Sequence, residues 1–393
     1  MIELKGKYSS LIAYLEDLEP SAMAQLMDLL NQPFTEGSRI RIMPDAHAGA
    51  GCVIGTTMTI TDKIVPNLVG VDIGCGVLCM KLGVKDIPLH ELDCIIRSYI
   101  PVGSQVRETE DDEFDLTGLR CYSRLRDVSR LKRSLGSLGS GNHFIELSRD
   151  DKGDLYLLVH SGSRNLGKQI AEIYQDKAYA ALTDTAKERG ELIARLKNEG
   201  RDNEIEGALK SLKKPKVSRE FAYVEGADFR DYLHDMGFAQ HWAARNRQKI
   251  ASDILQPMCI RGVGTDTVHN YIDHSSMILR KGAISAQCGE IVTIPLNMKD
   301  GTLLCTGKGN PDWNYSAPHG AGRIMSRAQA KANISLEEFT QSMKGIFSTT
   351  VNKSTLDEAP AAYKPPEAIL GQIDQTVEIL SILTPVYNFK ASE

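Results

Sequence analysis

The segment NYSAPHGAGRIMSR, residues 314–327, sets His319 between a proline and a Gly-Ala-Gly run, with Arg323 and Arg327 close behind. A lone histidine is most often an ordinary polar residue with satisfied hydrogen bonds, so this one is judged only with the rest of the chain. Three more histidines end apolar runs: His143 in LGSLGSGNHFIEL, His160 in LYLLVHSGSRNLG and His269 in TDTVHNYID. Each alone reads as an ordinary polar residue. Together, each beside Asn, Ser or Gly at the end of a strand-like run, they read as a site, because functional groups collect where strands end. VDIGCG adds Asp72 and Cys75, three apart in a loop that Gly74 and Gly76 allow to turn sharply. A carboxylate and a thiolate both bind metals as anions. With three neutral imidazoles they make five donors, too many for one tetrahedral structural zinc and enough for two ions if the thiolate bridges. His90, His234, His241 and His274 lie in helical or plain polar contexts and read as structural. His47, near Asp45 in MPDAHAGAG, fits a support, a ligand or a nucleic-acid contact, and stays outside the ligand set.

Anion-binding backbone is also visible. GSRNLG (162–167), GKGN (307–310) and HGAGR (319–323) pair a cation with glycine-rich chain, which holds phosphate oxygens through N–H groups and side-chain donors. None matches a Walker loop or a dinucleotide fingerprint in context, which argues against a P-loop NTPase and a Rossmann dehydrogenase. The formal net charge of −5 argues against a generally basic coat. One strip, LRCYSRLRDVSRLKR (119–133), carries six cations against Asp127 and follows the acidic ETEDDEF. It reads as a solvated, charge-patterned segment or as a surface that touches a polyanion.

These residues need elements to hold them. The chain has 393 residues, 42% hydrophobic and 25% charged, the composition of a globular protein with a sizeable core. The N-terminus lacks an apolar signal core and no run approaches a membrane span, so the expected location is cytoplasmic, with eight reduced cysteines. RIRIMPDAH, CVIGTTMTI and IVPNLVGVDIGCGVLCMKLG predict strands joined by glycine-bearing loops, and LYLLVHS predicts a buried strand leading into a helix. From Gln169 to about Lys214 the pattern is helical and charged, broken by Gly190 and Gly200, and predicts an exposed arm centred on 183–217. Residues 229–255 predict a long packed helix, residues 283–306 further strands, and residues 366–383 a helix. Strand and helix alternate without a βαβ rhythm. The expectation is an α+β fold, one large domain over 1–393 with mixed sheets around a central pocket.

Seven blocks in order, MPDAHAGAG, VGVDIGCG, LGSLGSGNHFIE, VHSGSRNLG, HNYI, RKGAISA and SAPHGAGRIMSR, resemble the RtcB family of RNA ligases from about residue 38 to Lys390. The resemblance implies an enzyme that joins a 3′-phosphate or 2′,3′-cyclic phosphate RNA end to a 5′-hydroxyl end, using GTP and two Mn²⁺. It implies that Asp72, Cys75 and His143 hold one ion, that Cys75, His160 and His269 hold the other, and that His319 becomes guanylylated. Guanosine contacts carry over to Asn142, His143, Phe144, Ile145, Glu146, His269, Asn270, Pro295, Leu296, Asn297, Met298, Thr302, His319, Gly320, Ala321, Gly322 and Lys390. A thiolate is a soft ligand, so the donor types alone favour zinc over hard manganese, and the resemblance overrides that preference.

This chain departs from the family in places. Pro295-Leu296-Asn297-Met298 stands where the family has Pro-Gly-Ser-Met, and MPDAHAGAG lacks the lysine often present in its glycine loop. The stretch between Gly76 and Leu135 is short, the 183–217 arm is distinctive, and three residues follow Lys390. These features suggest a divergent branch, tied to RNA repair with a release-factor-like partner rather than to tRNA splicing, with archease as another expected partner. The alternatives are a metal-dependent RNA cyclic phosphodiesterase or phosphatase that does not ligate, and a non-catalytic RNA- or ribosome-binding factor.

Overall fold

A helix of 30 residues, Gly226–Leu255, touches both of the largest apolar clusters. At 1.5 Å per residue it is about 45 Å long. Tyr232, Met236, Ala239 and Trp242 enter the first cluster, and Ile250, Ala251, Ile254 and Leu255 enter the second. Their spacing of three and four residues is the predicted helical stripe. The computed structural model describes residues 1–111, 114–211 and 217–391. None of its helices is long and apolar enough to cross a membrane.

The architecture is mixed α+β. A six-stranded sheet runs in the order Ile2–Lys5, Ser10–Ala13, Ile40–His47, Ile54–Thr59, Ile278–Lys281, Asn270–Asp273. A seven-stranded sheet runs Val263–Val268, Gly76–Lys81, Leu155–Ser161, Phe144–Arg149, Val377–Lys390, Gly301–Gly307, Ile291–Asn297. All neighbours in the second sheet are antiparallel. The expected strands of the first eighty residues form, as does Leu155–Ser161, buried along its whole length. The strand-like stretch 283–306 resolves into Ala283–Ser285, Ile291–Asn297 and Gly301–Gly307.

Two expectations fail. Residues 366–383 are not one helix: a short turn of helix, Pro366–Leu370, is followed by the strand Val377–Lys390. That strand pairs with Phe144–Arg149 on one side and Gly301–Gly307 on the other, and sheet pairing on both edges overrides the local helical spacing. The charged stretch after Gln169 is not all exposed arm. Arg164–Thr183 buries Leu166, Ile170, Tyr174 and Ala178, four residues apart each time, against the first core. Gly190 lies inside the helix Ala186–Asn198, whereas Gly200, at φ +68°, follows its end. Beyond Thr183 the helices Ala186–Asn198 and Ile205–Ser211 are mostly exposed, and residues 212–216 lie outside the described residues.

The basic strip 119–133 folds as short turns and the helix Val128–Arg133, with Asp127 accepting from the Arg130 amide at 3.1 Å. Part of its charge is spent locally: Arg126 meets Glu172 at 3.3 Å, Lys132 meets Glu110 at 3.5 Å, and Arg130 donates to the Ser104 carbonyl at 2.6 Å. Asp112 and Glu113 of the preceding acidic run lie outside the described residues.

Candidate active site

Strand register gathers the five candidate donors. In the seven-stranded sheet Val268 pairs with Gly76, Gly76 with Ser161, and His160 with Phe144. The residues that flank these positions, Cys75, His143 and His269, therefore meet at one end of four adjacent strands, and Asp72 joins from the loop before Gly76. Cys75 Sγ lies 3.3 Å from His160 Nε2 and 3.5 Å from His143 Nε2, and His143 Nε2 lies 3.0 Å from Asp72 Oδ2. Two groups result, Asp72–Cys75–His143 and Cys75–His160–His269, each with donor atoms within 4.8 Å of one another. Cys75 belongs to both.

The histidine rings are aimed from behind. His143 Nδ1 lies 2.8 Å from the Leu138 carbonyl and His160 Nδ1 lies 3.2 Å from the Asn142 carbonyl. A carbonyl only accepts, so Nδ1 carries the proton in each ring and Nε2 is left as the donor to a cation. Gly162 makes space for the carboxylate, since a Cβ there would lie 2.1 Å from Asp72 Oδ1. Behind the loops, helix Gly226–Leu255 presents Asn246 and Arg247, both fully buried. Arg247 donates to the Gly74 carbonyl at 2.8 Å and the Ser161 carbonyl at 2.7 Å, and forks onto Asp266 at 2.5 and 2.6 Å. Asn246 accepts from the Gly136 and Ser137 amides and donates to the Ser137 and Gly162 carbonyls. Two adjacent side chains thus tie together the loops that carry Asp72, Cys75, His143 and His160.

Burial and neighbouring charge set the protonation of the cluster. Burial acts to raise the Asp72 pKa, but the hydrogen bond and charge of His143 outweigh it and bring the value to about 2. Burial, then the Asp72 carboxylate, push the Cys75 thiol well up. Burial and the other histidines hold His160 and His269 well below the usual imidazole value. Two imidazoles held neutral, a third hydrogen-bonded to a carboxylate, and a thiol that a cation would deprotonate fit a divalent metal pair.

His319 stands next to this cluster, its ring centroid 5.0 Å from that of His269. It follows the strand Ser316–Pro318, and Asp45, fully buried in strand Ile40–His47, holds it at two points. Asp45 Oδ2 lies 2.6 Å from His319 Nδ1 and 3.1 Å from its backbone N. The other carboxylate oxygen, Oδ1, is buried with no hydrogen-bond partner. Gly322 permits the close approach: it has φ +75°, and a Cβ there would lie 2.2 Å from the Asp45 carbonyl oxygen.

His319 opens onto a cavity of about 710 Å³, lined also by His160, His47, the 48–50 loop, and residues 295–298 and 320–327. Of the nucleotide contacts expected from sequence, Asn142, Phe144, Glu146, Pro295, Leu296, Asn297, Met298, Gly320, Ala321, Gly322 and Lys390 line it. Five others stand off the wall. His143 and His269 belong to the metal groups. Ile145 faces the second core, and Thr302 is fully buried opposite Pro295. Asn270 acts as a bracket, accepting from the Gly282 amide at 2.9 Å and donating to the Asp72 carbonyl at 3.3 Å. Asn297, one of the departures, spends its side chain on a hairpin turn, accepting from the Lys299 and Asp300 amides at 2.9 Å each.

At the far wall Lys390 is buried beside Glu358 at 2.8 Å and sits over the Phe144 ring, 4.9 Å from its centroid. Burial raises Glu146 to about 7, against the opposing pull of Ser148, Asn388 and Lys390. Sequence reasoning missed Glu358, Tyr363 and Asn388 on this wall, because none sits in a motif. The four histidines read as structural lie apart from both metal groups: His90 packs edge-on to Phe347, and His234 bonds Asp235 at 2.9 Å.

The family model for the tRNA-splicing ligase RtcB matches residues 25–120 and 119–391. The RNA-splicing ligase RtcB of Escherichia coli (strain K12) is 29% identical over 412 aligned residues, covering 94% of each chain. The tRNA-splicing ligase RtcB of Archaeoglobus fulgidus is 26% identical over 444, covering 89% of this chain and 86% of the relative. The RNA-splicing ligase RtcB homolog 2 of Entamoeba dispar is 26% identical over 400, covering 82% and 74%. With a match that spans nearly the whole chain and a site built from the motifs themselves, this protein belongs to the RtcB family.

Proposed function

We propose that this protein is an RNA ligase that joins 3′-phosphate or 2′,3′-cyclic phosphate ends to 5′-hydroxyl ends through a guanylylated histidine. The observation that carries the reading is His319: a ring pinned at Nδ1 by a buried carboxylate, with Nε2 left free, beside a five-donor cluster and on the wall of a nucleotide-sized cavity. The relatives' names supply the RNA-splicing activity. The Nε2 lone pair attacks the α-phosphorus of GTP and pyrophosphate leaves. The RNA 3′-phosphate then attacks the histidine-bound phosphorus and takes over GMP, leaving His319 neutral again. Last, the 5′-hydroxyl displaces GMP and forms the phosphodiester.

Asp72, Cys75 and His143 would hold one cation and Cys75, His160 and His269 the second, with manganese as the metal the family resemblance implies. Two divalent ions there supply electrostatic stabilisation of charge growing on phosphate oxygens. Glu146 and Lys390, on one wall, match an acceptor and a donor for the edge of guanine. Asn142, Phe144, residues 295–298 and residues 320–322 would frame the rest of the nucleotide, with Asn270, Ile145 and Thr302 behind them as supports.

Incubation with radiolabelled GTP and Mn²⁺ should leave acid-labile, alkali-stable label on the wild type and none on His319→Ala. Unlabelled wild type, or a fully labelled variant, overturns the reading. Because the Asn297 side chain is engaged in a turn, a cyclic phosphodiesterase without ligation is the second reading. Product analysis on 2′,3′-cyclic phosphate RNA separates the two: joined strands support the ligase, and opened ends alone support the phosphodiesterase. Adding purified archease to the labelling reaction tests the partner expected from the family.

A further inference from the structure

One cavity-lining imidazole has no part in either metal group or in nucleotide capture. His47 ends the strand Ile40–His47 and faces the same cavity as His319. Its Nδ1 lies 2.9 Å from the Asp45 carbonyl oxygen. The carbonyl can only accept, so Nδ1 carries the proton and Nε2 is an open lone pair. Among the described residues His47 Nε2 makes no hydrogen bond. Asp45 therefore fixes two rings at once, His319 through its carboxylate and His47 through its backbone, and in each it leaves Nε2 free.

The chemistry of the proposed reaction has a vacancy of matching type. In the first step the nucleophile is a neutral ring nitrogen, and in the second it is a phosphate oxyanion. Neither has a proton to lose. Only the sealing step uses a neutral hydroxyl, which must give up a proton as it attacks. The other carboxylates and the remaining imidazole on the wall are engaged: Glu146 faces guanine in this reading, Glu358 accepts from Lys390 at 2.8 Å and Tyr363 at 2.7 Å, Glu19 accepts from the Ala48 amide at 2.6 Å, and His160 Nε2 faces Cys75.

We propose that His47 is the general base of the sealing step, a role that rests on the ligase reading above. As the 5′-oxygen forms its bond to the activated 3′-phosphorus, the hydroxyl proton passes to His47 Nε2. The bond from that phosphorus to the bridging oxygen breaks, and GMP leaves with the electron pair. The imidazolium returns its proton to solvent. Burial, followed by the nearby His319, holds His47 below the usual imidazole value, with Asp45 and Lys364 the other groups acting on it, so the ring is unprotonated and ready to accept at neutral pH.

The test separates this role from the ligase reading by splitting the reaction. Wild type, His47→Ala and His47→Asn are given labelled GTP, and separately a purified RNA carrying the 3′-diphosphoguanosine end together with a 5′-hydroxyl strand. Asparagine keeps a donor for the Asp45 carbonyl and cannot take up a proton, so it controls for folding. Both variants should accept label on His319 within about threefold of wild type, yet seal the preactivated end about 10²–10⁴-fold more slowly. A strand ending in a 5′-thiol, which ionises unaided, should shrink that gap to less than tenfold, and free imidazole should restore part of the rate to His47→Ala. Unimpaired sealing by His47→Asn, or an equal defect with hydroxyl and thiol strands, overturns the assignment. Wild type that takes no label overturns the ligase reading instead.

Discussion

Asp45 holds His319 by two contacts from a single carboxylate oxygen, 2.6 Å to ring Nδ1 and 3.1 Å to the backbone nitrogen, while its other oxygen stays buried and unpaired. Ring tautomer and ring position thus depend on one acceptor atom. Asp45→Leu keeps much of the shape but removes the acceptor for both donors, so the ring is held neither in position nor in the tautomer that leaves Nε2 unprotonated. We expect His319 labelling by GTP to slow by about 10²–10⁴-fold with the melting temperature nearly unchanged. Single-turnover labelling beside a thermal melt checks this, and labelling at the wild-type rate would remove Asp45 from its orienting role.

Cys75 is common to both donor groups, whereas His143 and His269 each belong to one. Metal stoichiometry should reflect this sharing. Cys75→Ala should lose high-affinity binding of both ions, while His143→Ala and His269→Ala should each retain about one ion per chain. Titration calorimetry and elemental analysis after gel filtration give the counts. A Cys75 variant that still binds two ions tightly would rule out a bridging thiolate.

Arg247, fully buried, reaches two carbonyls next to donor residues and pairs with Asp266, whose side chain keeps access to solvent. Arg247→Met removes the donor from both buried carbonyls, a loss on the order of 1–3 kcal/mol for each. Adding Asp266→Leu should cost little more, because that carboxylate can turn to water. Metal affinity should fall about 10–100-fold in Arg247→Met and no further in the double variant. Cobalt titration followed by the thiolate-to-metal absorption band measures this directly. Wild-type affinity in Arg247→Met would mean that Arg247 serves the fold alone.

Glu146 gives a pH signature with a definite sign. Its folded value, about 7, lies above the ordinary glutamate value of 4.5, so between those limits the folded state binds more protons than the unfolded one. Its contribution is therefore fully present below pH 4.5 and is lost as pH rises through 7. The change is at most about 3 kcal/mol, from 1.36 kcal/mol per unit. Glu146→Gln should flatten this dependence in nucleotide-free protein and gain stability relative to wild type above pH 7. Urea melts at pH 5 and 8 settle it: parallel loss in both proteins would assign the dependence to other groups.

The chemistry was more legible than the framework around it. Asp72, Cys75, His143, His160, His269 and His319 stand out because glycines and small residues mark the loops that present them, and the register of four strands then brings the metal donors together. Val377–Lys390 was misread because its apolar residues at 379, 380, 382, 383 and 386 fit either period, and only pairing on both edges decides between them. In Arg164–Thr183 the charged residues obscured a buried stripe. Glu358 could not have been found, because its meaning comes from Lys390, which lies 32 positions away in sequence and 2.8 Å away in space.

Helix Gly226–Leu255 packs its longer first part on one apolar cluster and its last turns on the other, and Asn246–Arg247 sits between the two. Consolidating one half of the molecule without the other would leave this crossing point unanchored and the donor loops slack. Metal capture therefore depends on the packing of both ends of this one helix, far from any residue that would touch the ions.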